Sequence, residues 1–472
     1  MHPFRTMEVA MLGLLLSGLT IAWIAWMISR KVYAPAVLMV GGMVLIVLAA
    51  VFDLSPILAV KKSTGAPVFD VFEAVRQKFS TRMAGLGLSI MLISGYSRYM
   101  DHLNASTALY NAVAAPLKYL RSPLALFSVA FLITQVLSIF VPSGAGMALL
   151  TMVTVYPILV RSGMSRSTAL ALVVCTRVFG WGPASPNVNL AANILNMDVG
   201  TYFIKYQTPV VLPLIAIMLV SHLVVQFWWD KKEGPDLEGQ AMLETMKREE
   251  REAPPKIYAI LPVLPLCFIM ACSPLITNYF GFSYKVKMDV GTAMFMCTFI
   301  AMAFELVRHK NLGRVLSSMK EYFDAMGKIF TLVVALMVAG EVFANGLINS
   351  GALTTMIKSA QSAGLGVKSM TVAASFIIYV SAFLMGSGNA AFFSFANMIP
   401  EFAQILNVPG QNMMVVLDLM SIMGRTMSPV FGALIAVSGM VGVSNFQLAK
   451  RAAIPVLITT FFVPIVAFAI LF

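Results

Sequence analysis

Residues 142–146 read Pro-Ser-Gly-Ala-Gly, and residues 386–390 read Gly-Ser-Gly-Asn-Ala. A second motif, Ser-Pro-Asn at 185–187, recurs as Ser-Pro-Val at 428–430. The serines of the two pairs lie 244 (387 − 143) and 243 (428 − 185) residues apart. Glycine, proline and serine break an apolar helix, and hydrocarbon offers the freed backbone groups no hydrogen bonds. Matched breaks in the two halves of a chain indicate the solute-binding site of a transporter.

The composition around these motifs is that of a polytopic membrane protein. The 472 residues are 59% hydrophobic and 11% charged, with a mean hydropathy of +0.84, which far exceeds the needs of a soluble core. Some of the apolar stretches are long enough to cross about 30 Å of hydrocarbon. The short stretches cluster around the two motif pairs, where half-helices and re-entrant hairpins are expected. The stretches are 8–29, 36–52, 83–100, 122–141, 145–160, 167–182, 207–229, 257–275, 288–306, 329–348, 370–386, 411–424, 430–442 and 453–472.

The doubled pattern predicts an all-α polytopic membrane protein made of two inverted structural repeats, with re-entrant helical hairpins and broken transmembrane helices. Each half also contains a basic, amphipathic connection, which we interpret as an interfacial helix: 61–82 in the first half and 308–328 in the second. The predicted parts are a first repeat at 1–229 (hairpin near 122–160, broken helix near 167–193), a charged linker at 230–256, and a second repeat at 257–472 (hairpin near 370–405, broken helix near 411–442).

Charge and motif content exclude several classes of protein. We attribute the formal net charge of +12 to loops beside anionic lipid rather than to nucleic-acid binding. The four cysteines lie in apolar segments without metal-ligand spacing, so we interpret them as small core residues. The sequence contains no HExxH, GxSxG or Walker pattern. It therefore predicts a protein that is not an enzyme, has no metal or other cofactor, and has no nucleic-acid partner.

The break residues offer hydroxyl, amide and backbone N–H groups at helix tips, which suit carboxylates. The alternative is that these small residues only permit close helix packing. Duplication of the spacing favours a binding site. The candidate substrate-binding residues are Ser143, Gly144, Ser185, Pro186, Asn187, Asn189, Ser387, Gly388, Asn389, Thr426, Ser428 and Pro429, together with Arg425.

Arg425 is included because helix ends alone cannot hold a dianion. Burying each carboxylate costs several kcal/mol, whereas each helix dipole contributes about 0.3 to 2 kcal/mol. The guanidinium of Arg425 can pair with a carboxylate through two parallel hydrogen bonds. Its alternative role is an ion pair with Asp418, seven residues earlier. Arg177 is either a second anion contact or part of an ion pair that locks helices together.

Two acids interrupt apolar runs and are candidates for ion coupling, because intramembrane carboxylates are costly and usually functional. Asp418 can carry a proton if Arg425 does not bind it. Glu341 can relay a proton or, equally, pair with a lysine or the backbone at a domain interface. The residues leave coupling to Na+, coupling to H+ and substrate antiport open.

Several motifs resemble the anaerobic C4-dicarboxylate carriers of the DcuC type, within the ion transporter superfamily. They are GSGNA at 386–390, Met398-Ile399-Pro400, the run from Gly424 to Pro429, Lys450-Arg451 before Pro455, and the first-half residues Pro183, Ser185 and Leu190-Ala191-Ala192. The resemblance implies a homodimer with scaffold and transport domains and elevator-like alternating access. It also implies traffic in succinate, fumarate or malate across the bacterial inner membrane.

We therefore expect a multi-pass secondary active transporter for C4-dicarboxylates, working by exchange or by cation-coupled efflux or uptake. Its expected partners are a small organic dianion, the lipid bilayer and a second copy of the chain. The alternative is a related carrier for another organic anion, such as a tricarboxylate, an acidic amino acid or an aryl-amide conjugate.

Overall fold

The fold was obtained as a computed structural model. It describes residues 3–30, 32–58, 62–120, 122–233, 254–279, 288–362, 364–441 and 445–472, so most of the predicted linker lies outside the described residues. Within these ranges the chain is almost entirely helical and contains no β-strand. Nine helical segments there are long and apolar enough to cross a membrane. The predicted all-α polytopic fold is confirmed.

The first half contains twelve α-helices in its described residues, several of them short because the chain breaks between them. They are α1 (Pro3–Ser29), α2 (Ala34–Val51), α3 (Pro67–Arg82), α4 (Leu88–His102), α5 (Ala105–Ala114), α6 (Pro123–Phe140), α7 (Gly144–Thr154), α8 (Tyr156–Arg161), α9 (Arg166–Val174), α10 (Pro186–Ile194), α11 (Val199–Tyr202) and α12 (Thr208–Glu233).

The second half also contains twelve α-helices in its described residues. They are α13 (Leu264–Cys272), α14 (Pro274–Tyr279), α15 (Val290–His309), α16 (Leu312–Ile329), α17 (Ala335–Asn349), α18 (Ala352–Ser362), α19 (Val367–Met385), α20 (Gly388–Phe395), α21 (Ile399–Leu406), α22 (Gly410–Met427), α23 (Gly432–Val441) and α24 (Asn445–Leu471).

The two halves place equivalent elements at a constant distance along the chain. Helices α6, α7 and α9 begin 244 residues before α19, α20 and α22, respectively. Serine caps the N-terminus of both α7 and α20, because its hydroxyl accepts a hydrogen bond from a backbone N–H of the first turn. The recurrence of breaks in the sequence thus corresponds to a recurrence of helices. The inverted orientation of the repeats stays a prediction.

The predicted apolar stretch 257–275 is not one continuous α-helix. It forms a 3-10 helix, Lys256–Val263, followed by the nine-residue α13. Pro262 and Pro265 remove backbone N–H donors in this stretch, which prevents a regular α-helical ladder.

The two predicted interfacial segments are helices, α3 and α16. In α3, the Asp70 carboxylate accepts hydrogen bonds from the Ser63 hydroxyl and the Thr64 backbone N–H, both at 2.6 Å. These bonds lower the pKa of Asp70. On the same helix, Arg76 forms an exposed ion pair with Glu73 at 2.7 Å, and hydrogen bonds from Arg76 and Gln77 lower the pKa of Glu73 to about 2.

The helices pack as two groups, which meet where α17 packs against α20. In the first group, α17 packs along α2, and α4 packs against α15 and α16. A Cβ on Gly42 in α2 would lie 2.6 Å from the backbone nitrogen of Phe343 in α17, so glycine is needed for this close approach. The second group contains the helices around the breaks, where α19 packs on α22, α22 on α24, and α7 on α23. The candidate site lies in this second group.

The cysteines divide between core and surface. Cys175 and Cys297 are buried, as predicted, whereas Cys267 is exposed and Cys272 is intermediate. The core prediction is wrong for Cys267, because a thiol on the outer face of an apolar helix can face lipid tails as readily as protein. All four are free cysteines.

Candidate functional site

Both hairpin tips are helix starts capped by serine. The Ser143 hydroxyl accepts a 3.0 Å hydrogen bond from the Gly146 backbone N–H. In the second half, the Ser387 hydroxyl accepts a 3.3 Å bond from the Ala390 N–H. The preceding Gly386 has a φ of +63°, a left-handed conformation that favours glycine. The chain therefore reverses sharply before α20, and the half-buried Asn389 lies in the first turn of that helix.

The two glycines at the tips have different surroundings. A Cβ on Gly388 would lie 2.8 Å from the backbone oxygen of Ser421 in α22, which is too close. A Cβ on Gly144 would meet only the ring of Phe431, at an ordinary 3.8 Å. Gly388 is thus required for the close packing of α20 on α22. Gly144 lies at ordinary contact distance from Phe431, which belongs to the break of the opposite half.

The first broken helix restarts at α10, with Pro186 in its first turn. The Asn189 amide donates to the carbonyl oxygens of Pro183 and Ser185, at 2.7 and 2.8 Å. The Ser185 carbonyl also accepts the 3.1 Å backbone bond from the Asn189 N–H that begins α10, so the amide adds a second bond there and gives the Pro183 carbonyl a partner. Asn189 therefore stabilises the break. The buried Ser185 occupies the N-cap position of α10 but makes no side-chain cap hydrogen bond.

In the second broken helix, Ser428 ends α22 and Pro429 lies in the gap before α23. The Ser428 hydroxyl accepts a 3.3 Å hydrogen bond from the Val430 N–H. The Thr426 hydroxyl donates to the carbonyl of Ile422 at 2.8 Å, within its own helix. Both hydroxyl groups lie at the break, and both are buried.

A buried polar cluster joins the two broken helices at Asp418, which is fully buried. The Asn187 amide nitrogen donates to Asp418 Oδ1 at 2.8 Å and to the Ser421 hydroxyl at 3.3 Å. The Gln207 amide nitrogen donates to Asp418 Oδ2 at 3.2 Å, and its oxygen accepts from the Gly182 backbone N–H. The carboxylate of the second half is thus held by two amides of the first half.

Two arginines lie beside this carboxylate. Arg177 Nη1 donates to the carbonyl of Val141, directly before the first hairpin tip, at 3.2 Å. Arg425 Nη2 donates to the carbonyl of Arg177 at 3.1 Å, and its guanidinium carbon lies 4.7 Å from the ring centroid of Phe431. No ion pair within 4.0 Å joins Arg425 to Asp418, although both belong to the described residues.

The cluster therefore carries more positive than negative charge. Arg177 and Arg425 contribute two formal positive charges and Asp418 one negative charge, which leaves +1 (2 − 1). The Nε atoms of both arginines and the side-chain oxygen of Asn187 are buried and have no hydrogen-bond partner among the described residues. Buried guanidinium donors without partners are costly, and a carboxylate would satisfy them.

Glu341 lies in a different place, outside this cluster. It forms an ion pair with Lys78 at 3.1 Å and a second, very short one with Arg82. These partners come from α3 of the first half, so the acid bridges the halves. Its role in ion coupling stays a prediction.

Sequence reasoning missed Gln207 and Ser421 in the Asp418 cluster, and Arg82 beside Glu341. A glutamine at the start of the apolar stretch 207–229 was the available signal for the first. The described residues hold no group of three or more histidine, cysteine, aspartate or glutamate side chains that could bind a metal ion.

Paired hairpin tips and broken helices around a buried, positively charged cluster are characteristic of secondary transporters. The family model described as "C4-dicarboxylate anaerobic carrier" (DcuC) matches residues 12–472, and the chain belongs to this family. The predicted resemblance is confirmed. The chain is a multi-pass protein of the bacterial inner membrane.

Curated relatives match over nearly the whole chain. The anaerobic C4-dicarboxylate transporter DcuC of Escherichia coli K12 is 31% identical over 445 residues, which cover 94% of each chain. The probable anaerobic C4-dicarboxylate transporter DcuC of Vibrio cholerae is 29% identical over 458 residues, covering 96% of each. The crystal structure of the YdaH transporter of Alcanivorax borkumensis, reported to have an unusual topology, matches with a TM-score of 0.55 at 14% identity. It covers 91% of this chain and 98% of that one, and it supports the fold alone.

Proposed function

We propose that this chain is a secondary active transporter that moves C4-dicarboxylates, such as succinate, fumarate and malate, across the bacterial inner membrane. The observation that carries the proposal is a pair of arginines, Arg177 buried and Arg425 half-buried, opposed by the one carboxylate of Asp418 between the two breaks. The relatives named as C4-dicarboxylate transporters support the choice of substrate.

The charge of the cluster suits a dianion. One carboxylate of the substrate would take the free donors of Arg177 and Arg425, because a guanidinium binds a carboxylate through charge-assisted hydrogen bonds. The other would approach the capped N-terminal turns of α7 and α20, where the helix dipole favours negative charge. Asn389 and the hydroxyl groups of Thr426 and Ser428 would supply further polar contacts.

For coupling, we favour Asp418 over Glu341. Asp418 shares the cluster with both arginines, so a proton or a Na+ ion bound there would interact directly with the charge of the substrate. Glu341 lies outside this cluster and already pairs with two cations, Lys78 and Arg82. Exchange of one dicarboxylate for another would need neither acid to change its charge.

We also propose an elevator-like mechanism in a homodimer. The packing among α2, α4, α15, α16 and α17 supports a scaffold, and the group around the breaks, which meets it where α20 packs against α17, supports a moving transport domain. A cysteine pair across the two groups, cross-linked in the membrane, should stop transport under this mechanism. Transport at the normal rate after complete cross-linking would contradict it, and chemical cross-linking of wild-type membranes tests the dimer.

The substrate class is tested by counterflow in proteoliposomes. Vesicles loaded with unlabelled succinate should accumulate labelled succinate transiently, and external fumarate and malate should compete. Citrate, glutamate and an aryl-amide conjugate should compete weakly. Strong competition by one of these anions with weak competition by fumarate would show instead a carrier for that other anion.

A further inference from the structure

A polar cavity of about 300 Å3 lies away from the Asp418 cluster, between α10, α17 and the turn that follows α20. Six of its ten lining residues are polar, and two of these, Asn193 and Asn196, are exposed, so the cavity is open to the outside of the protein. They are Arg82, Asn193, Asn196, Glu341, Asn345 and Asn397. The proposed transport cycle assigns no role to this cavity.

Arg82 organises the cavity by contacting three separate elements. Its Nε forms a very short ion pair with Glu341 of α17. Its Nη1 donates to the Asn193 side-chain oxygen in α10 at 3.3 Å, and its Nη2 donates to the Asn397 oxygen at 3.1 Å. One donor of the guanidinium, Nε, thus binds a carboxylate, while Nη1 and Nη2 bind neutral amide oxygens that a substrate carboxylate could replace.

The local charge leaves room for a second anion. Lys78 and Arg82 are two cations, and Glu341 is their one carboxylate partner among the described residues. The Asn397 amide nitrogen is buried without a hydrogen-bond partner there, so a donor is also available. The side chains of Arg82 and Glu341 are 19% and 11% exposed, so the pair is shielded yet reachable.

The cavity adjoins a larger one of about 590 Å3, and both are lined by Asn193. The lining of the larger cavity includes Asn189, whose amide stabilises the first break. Most of this lining is apolar and its two charged residues are Asp198 and Asp289, so the polar surface next to a dianion bound at Arg82 is limited to Asn193 and Asn189 of α10.

We propose that the Arg82 cavity is a second, outlying binding site for a substrate carboxylate, and that Glu341 occupies it when no substrate is bound. The carboxylate of an arriving dianion displaces Glu341 from Arg82 and lies beside Asn193 of α10. Glu341 is an internal competitor in this scheme. The inference rests on the proposed function, because it takes a C4-dicarboxylate as the ligand.

Opposite effects of two substitutions test the scheme. Arg82→Gln should raise the KM for succinate counterflow about tenfold, because a charge-assisted hydrogen-bond pair is lost. Glu341→Gln should instead lower the KM several-fold, since the competing carboxylate is gone. The matched controls are Arg76→Gln and Glu73→Gln, which remove the same charges from an exposed pair on α3 and should change the KM less than about twofold.

A purely structural ion pair predicts a different pattern. Arg82→Gln and Glu341→Gln would then impair transport in the same direction, and that result would overturn the site. If Arg82→Gln does not fold, as judged by size-exclusion chromatography, the direction of the Glu341→Gln effect decides alone: an unchanged or higher KM rejects the scheme. Absence of succinate counterflow in the wild type would refute the proposed function, and the Arg82 site with it.

Discussion

The Asn187 amide donates a 2.8 Å hydrogen bond to the carboxylate of Asp418, and these two fully buried residues belong to opposite halves of the chain. The bond connects the helix after the first break to the helix before the second. It holds the single carboxylate of the cluster in place, while Arg177 and Arg425 donate to the backbone carbonyls of Val141 and Arg177. The two motif pairs therefore form one charged site rather than two separate ones.

Asn187→Ala should destabilise the protein. Asp418 would lose one of its two amide donors in a buried position, which costs about 1 to 3 kcal/mol. The melting temperature in detergent should fall, and the same substitution at Asn349, half-buried at the end of α17, should have a smaller effect. Equal melting temperatures for the two variants would contradict the structural importance of this bond.

The two tip glycines should respond differently to alanine. Gly388→Ala places a methyl group 2.8 Å from the Ser421 backbone oxygen, so the yield of folded protein and its thermal stability should drop. Gly144→Ala meets only ordinary contacts, and its stability should match or slightly exceed the wild type, because alanine favours a helix. A comparable loss of stability in both variants would show that the tips are packed alike.

Asp418→Asn should separate coupling from exchange. The asparagine keeps the shape and cannot bind a proton or contribute a charge, so a pH or Na+ gradient should no longer change the rate of uptake. Succinate exchange should continue, since the arginines remain. Uptake that still follows the gradient as in the wild type would place ion coupling elsewhere.

Local sequence patterns were sufficient to predict the positions of the helix breaks and of the charged residues in the cluster. The Gly-Ser and Ser-Pro motifs predicted where helices stop, and Arg425 and Asp418 stood out as charges in apolar runs. The partners of these residues were not predictable, because they lie far away along the chain. Asn187 bonds to a residue 231 positions later, and Arg82 pairs with one 259 positions later. Such contacts depend on how the halves pack, which no local pattern encodes.

The predicted partner of Arg425, either the substrate or Asp418, shows the same limit of prediction from local sequence. The two residues share a helix face seven positions apart, which made an ion pair the alternative to substrate contact. In the structure, two amides of the first half occupy Asp418, and Arg425 contacts the carbonyl of Arg177 and the ring of Phe431. Tertiary packing thus supplied other partners for both residues and left Arg425 Nε without one among the described residues.

Counterflow of labelled succinate into proteoliposomes, measured for the wild type and for Arg425→Ala, tests the central claim most directly. The account predicts a transient accumulation in wild-type vesicles loaded with succinate, and a loss of about tenfold or more in Arg425→Ala. Arg161→Ala, which removes an exposed arginine at the end of α8, should behave as the wild type. Wild-type counterflow that persists unchanged in Arg425→Ala would contradict the assignment of the anion site.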